Sequence, residues 1–99
     1  MQSHYPFEFD REMGCTAAEL RGWLPGACRG APIEWRPRGA SLGLGAGRVT
    51  IDWTEQEPRR IALITLPRLA VRFRAEGLDA ATWHAFMRYF DLYTQRGGG

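Results

Sequence analysis

The stretch "RRIALITLPRLAVRFRAEG", residues 59–77, decides how the chain folds. In its second half Leu69, Val71 and Phe73 alternate with Arg68, Arg72 and Arg74, which is the period of a strand with one covered face. The spacing predicts that the odd residues point under other elements and that the guanidinium groups point from the opposite face. The first half breaks this rule. Ile61 and Leu63 fall on one parity, and Ala62, Ile64 and Leu66 on the other, so a continuous strand would be apolar on both sides. Such a strand calls for cover on both faces, in a sheet interior or beneath a partner. Leu66-Pro67 marks an interruption, so residues 59–75 are expected to form two strands.

The flanking sequence supplies the rest of a sheet and two helices. "RVTIDWT", residues 48–54, sets Val49, Ile51 and Trp53 on one face against Arg48, Thr50, Asp52 and Thr54, and "EQEP" after it reads as a polar turn. "PIEWRPR" alternates in the same way through Ile33 and Trp35 until Pro37 stops it. Between these runs the glycine-rich "GASLGLGAG" reads as a turn with a short or irregular strand. Nearer the amino terminus Tyr5, Phe7 and Phe9 alternate with Pro6, Glu8 and Asp10, and Pro6 confines that strand to an edge or a strand start.

Thr16 and Glu19 have the spacing of a capping box, so a helix is expected to begin at Thr16, carry Leu20, Trp23 and Leu24 on one side, and end at Pro25-Gly26. The second helix starts behind Asp79 as N-cap, with Trp83, Phe86, Met87 and Phe90 at i, i+3, i+4 and i+7. Short connections between the strands imply antiparallel hairpins. The expected fold is α+β: an antiparallel sheet of four to six strands in the order β-α-β-β-β-β-α, with both helices on one face. Residues 1–96 are expected to form one domain and 97–99 a flexible tail.

Composition sets outer limits on function. Arginine and lysine together number 13 against 11 acidic residues, a net charge of +2, and every one of the 13 is arginine. That excess is small for a dedicated nucleic-acid binder. The start "MQSHYPFEFD" does not resemble a secretory signal, and "IALITL" is too short to span a bilayer, so a cytoplasmic location without membrane association is expected. Cys15 and Cys28 lack the spacing of a zinc site or a disulfide scaffold and are read as free thiols.

Chemistry-bearing candidates each have a plainer alternative. Cys15 precedes the first helix, where the dipole favours thiolate, but as the residue before the cap it also suits packing against Leu20. His84 reads as a surface histidine beside Arg88. "GLGAG", residues 43–47, precedes a strand rather than a helix, which fits a hairpin better than a phosphate cradle. Glu34 and Asp52 read as salt-bridge partners on an open sheet face. No nucleophile, base and orienting group share a readable spacing, and no metal or cofactor is called for.

The arginine stripe is the remaining signal. Glu8, Asp10, Glu34 and Asp52 occupy matching outward positions, so a cross-strand charge lattice is expected on the face of Arg68, Arg72 and Arg74. Together with the apolar centre at Ile64 and Leu66, this face suits a non-catalytic binding or assembly module, joining a second copy or another protein. An alternative is a small-ligand or anion-binding domain with a cavity beside Trp53, Phe86 and Phe90. Single-stranded nucleic-acid binding ranks third, because Trp35, Trp53 and Phe73 share the parity of the covered face and leave no aromatic platform between the arginines.

Overall fold

The computed structural model describes residues 4–97 and forms one five-stranded antiparallel sheet with two helices. The elements are β1 (Glu8–Met13), α1 (Ala17–Ala27), β2 (Ile33–Arg36), β3 (Gly39–Leu44), β4 (Gly47–Ile61), β5 (Ile64–Glu76) and α2 (Ala80–Gly97). Spatially the strands run β1-β5-β4-β3-β2. Strands β2 to β5 form a meander joined by two-residue turns at Pro37-Arg38, Gly45-Ala46 and Ala62-Leu63. β1 then pairs with the far side of β5, leaving β1 and β2 as the sheet edges.

The parity read from residues 68–74 holds across the sheet. Phe9, Phe73, Ile51, Ala40 and Trp35 form one cross-strand row, and Met13, Leu69, Val71, Trp53, Val49 and Leu42 lie on the same face. Both helices cover this face, contributing Leu20, Leu24 and Ala27 from α1 and Trp83, Met87 and Phe90 from α2. The α2 rings continue the stack inward: Phe90 meets Phe73 edge-on at 5.3 Å, and Phe9 stacks on Phe73 at 5.0 Å between centroids. Rings three and four residues apart on α2 therefore meet rings from adjacent strands at one place, and their burial supplies much of the hydrophobic driving force.

The helix starts follow the sequence. Thr16 Oγ1 accepts from the Glu19 amide at 3.0 Å, and Glu19 Oε1 accepts from the Thr16 amide at 2.8 Å, which satisfies two donors that the first turn leaves open. Asp79 Oδ1 accepts from the Thr82 amide at 2.7 Å, and this bond holds the Asp79 carboxyl below its ordinary range.

Three sequence expectations are displaced. α1 runs through Pro25 to Ala27, because a proline in the last turn forfeits one hydrogen bond while buried Leu24 and Ala27 keep that turn packed. The reversal comes instead at Arg29 and Gly30, both at positive φ, whose amides return to the Gly26 and Pro25 carbonyls. Phe7 stands at the sheet rim, one residue ahead of β1, and is 47 % exposed. The glycine-rich run forms a short strand, β3, and the Gly45-Ala46 turn, as its sequence suggests. At Gly39 a β-carbon would collide with the Asp52 carboxylate and the Arg36 guanidinium, which cross directly above it.

The largest correction falls on residues 55–67. "EQEP" is not a turn, and the chain is not interrupted at Leu66-Pro67; β4 continues to Ile61 and reverses at Ala62-Leu63. Pairing skips from Gln56↔Arg68 to Arg59↔Leu66, so Glu57 and Pro58 together oppose Pro67 in a bulge. Both prolines, which cannot donate to a ladder, are placed where the ladder is already broken. β3 and β1 end beside Asp52 and Leu69, so the hairpin beyond them projects as a two-stranded arm, and the molecule measures 47 Å along its longest axis. Of the expected tail, Gly97 closes α2, and residues 98–99 lie outside the described residues.

Candidate functional site

The outer sheet face carries a lattice of opposite charges. Arg72 Nε lies 2.8 Å from Asp10, directly across the β1–β5 ladder, and its Nη1 lies 3.5 Å from Glu8. Arg68 grips Glu12 at 2.9 Å, Arg36 meets Asp52 at 2.6 Å, and Arg48 pairs with Glu34. Hydrogen bonds from Arg72 hold Asp10 below its ordinary range, and those from Arg68 do the same for Glu12. Exposed pairs of this kind contribute little each, yet together they penalise any slip in register, because a one-residue shift would move the guanidinium groups into the core. Arg74 opposes Glu8 across the ladder, but among the described residues no carboxylate lies within ion-pair distance of its guanidinium.

On the arm the same face becomes apolar. β5 keeps its parity through Pro67, so Leu66 and Ile64 point the same way as Arg68. The extra residue in the β4 bulge brings Arg59 and Ile61 onto that face too, beside Leu66 and Ile64, while Arg60 and Thr65 take the other. Thus no strand here is greasy on both sides. Residues expected on two faces converge on one, with Leu63 at the turn. Ile61, Leu63, Ile64 and Leu66 are 54, 101, 59 and 43 % exposed. Arg59 and Arg68 both reach back to Glu12 at the base of this patch.

Under the sheet lies a polar cluster that period-two reading missed. Arg11 occupies an inward position of β1 and donates from Nη1 to Asp91 Oδ1 at 2.6 Å and from Nη2 to Oδ2 at 3.1 Å. The Tyr5 hydroxyl donates to Asp91 Oδ2 at 2.6 Å. The Arg11 guanidinium also lies over the rings of Phe9 and Phe73. Burial and the Asp91 carboxylate raise the Tyr5 phenol to about 12. His84 rests edge-on against Tyr5 at 5.2 Å. The signal for this cluster was an arginine at an inward parity in β1, an arrangement that needs a buried acid opposite.

The thiols are sequestered. Cys15 and Cys28 are buried and unpaired, and burial pushes each thiol up to about 11, with the Glu19 carboxylate adding to the effect at Cys15. Residues 43–47 span the end of β3, the Gly45-Ala46 turn and the first residue of β4, with Gly45 at φ 57°.

Of the residues expected around a cavity, Trp53 and Phe90 are sealed in the core, and the Trp53 Nε1 has no acceptor among the described residues. On the outer face a hollow of about 390 Å³ lies beside Asp10, Asp52 and Arg72. Phe86 alone of the three lines the larger concavity, about 460 Å³, between the end of α1, Leu44 of β3 and the first half of α2. Its walls are Ala27, Leu44, Ala85 and Phe86, with Arg29 and Tyr89 at one side.

Among the described residues, no three metal-ligating side chains gather, and no helix is long and apolar enough to cross a membrane. Fold and surface together define a small α+β domain with an antiparallel sheet and a projecting arm. Comparison with protein-family models, with characterised proteins and with solved structures finds no match.

Proposed function

We propose that the chain is a non-catalytic assembly module that pairs with a second copy of itself through the outer face of the β4–β5 arm. The observation that carries this reading is the gathering of Ile61, Leu63, Ile64 and Leu66 on a ribbon that buries none of them. A two-stranded ribbon alone is marginal in water, and an apolar stripe on one face gains cover when a two-fold axis lays it against its own copy. The flanking charges suit such a pairing, since Arg59 and Glu12 stand side by side and each finds the opposite sign in an inverted partner.

The magnitude sets the expected strength. The four side chains expose the equivalent of about two and a half residues per copy, which at ~1.5–3 kcal/mol each makes roughly 8–15 kcal/mol gross for two copies. Association costs of ~4–15 kcal/mol leave a weak, concentration-dependent dimer.

Sedimentation equilibrium from micromolar to millimolar protein tests the proposal. The wild-type mass should rise toward twice the monomer, and Ile64→Glu should remain monomeric with unchanged thermal stability, because Ile64 lies outside the core. A wild-type chain that stays monomeric throughout, or an Ile64→Glu variant that associates as strongly, would overturn it.

A further inference from the structure

We propose that the concavity beside Phe86 binds a small amphipathic carboxylate, with its head group on the edge of the Arg29 guanidinium and its apolar body along Leu44, Ala85 and Phe86. The volume of about 460 Å³ lies within the range of small-molecule sites, roughly 300–1,000 Å³. Among the described residues Arg29 is the only charged residue of the lining. Among the described residues its guanidinium has no carboxylate or hydrogen-bond partner, unlike the ion-paired arginines of the outer face.

The guanidinium is also positioned. Its carbon lies 3.9 Å from the centroid of the Tyr89 ring, so one flat face is occupied by the aromatic while the donor edge stays available. That edge is a planar fork matching the two oxygens of a carboxylate. The backbone at Arg29 has φ 55°, a conformation that a glycine adopts freely and an arginine only at a cost.

The chemistry of the lining selects among occupants. A purely apolar ligand would desolvate Arg29 without giving it a partner, and a bare inorganic anion would leave the apolar walls wet. A monoanion with an apolar body satisfies both parts.

The test follows methyl and amide signals of the ¹⁵N,¹³C-labelled chain during titration with decanoate, decan-1-ol and acetate. Decanoate should give saturable shifts at Leu44, Ala81 and Ala85, with decanol binding at least about tenfold more weakly and acetate not detectably. Arg29→Gln should bring decanoate down to the level of decanol. Ala85→Phe, at an exposed helix position, should fill the groove and abolish binding of both without lowering thermal stability. Shifts that fall elsewhere, equal binding of acid and alcohol, or indifference to Arg29→Gln would each overturn the proposal. Ile64→Glu should leave decanoate binding intact, which separates this site from self-association.

Discussion

Replacing Arg11 by leucine tests whether the cluster beneath β1 holds the sheet edge to α2. The wild-type side chains of Arg11 and Asp91 are only 21 and 10 % exposed, so removing the cation leaves a largely buried carboxylate with the Tyr5 hydroxyl as its remaining donor. Breaking a buried pair on one side costs ~3–5 kcal/mol, and the residual exposure of Arg11 puts this case near the lower end, about 3 kcal/mol. For a domain of this size that corresponds to a fall in Tm of roughly 12–24 °C. Urea unfolding of Arg11→Leu, Asp91→Leu and the double variant, all in a Tyr5→Phe background, would separate the pair from its context. Each single change should be strongly destabilising and the double change should recover most of the loss, since an apolar replacement of both ions removes the stranded charge. Single costs that simply add, or an Arg11→Leu Tm within a few degrees of its Tyr5→Phe parent, would refute the reasoning.

Three further outcomes follow from the same geometry. The Tyr5 phenol titrates near 12 when folded against 10 when unfolded, so its contribution is complete below pH 10 and is lost as pH rises through 12, about 2–3 kcal/mol in all; alkaline unfolding curves should show this loss in the wild type and not in Tyr5→Phe. Ala62 opens its turn at φ 53°, the position that glycine fills in the β3–β4 turn, so Ala62→Gly should relieve ~1–2 kcal/mol of strain against ~0.5–1 kcal/mol of glycine entropy. Arm amides should then exchange up to about tenfold more slowly, and faster exchange would contradict this. On the acid side, the Asp10 and Glu12 carboxyls should titrate by NMR below the ordinary range of about 3.9–4.3, and Arg72→Gln should return Asp10 toward it while sparing Glu12. Because these folded values are depressed, the stability they supply is present above the ordinary carboxylate range and fades as pH falls through the folded values.

Local chemistry alone determined a good share of this protein. Thr16 and Glu19 announced a helix start, Asp79 another, and the alternation of Leu69, Val71 and Phe73 with Arg68, Arg72 and Arg74 assigned both faces of the sheet. These features depend on neighbours two to four residues away, so spacing suffices to read them. What only the tertiary structure decided depends on partners far along the chain. Arg11 turns inward because Asp91, 80 residues later, receives it. Ile61 joins Ile64 and Leu66 on one face because two prolines on facing strands, Pro58 and Pro67, share one bulge and shift the parity of β4 alone. Arg29 overlooks a groove because α1 runs past Pro25 and carries its end against Tyr89. A period-two pattern records which residues share a face only while the ladder is unbroken, and one inserted residue, invisible to composition, turned a strand with two greasy sides into an arm with one.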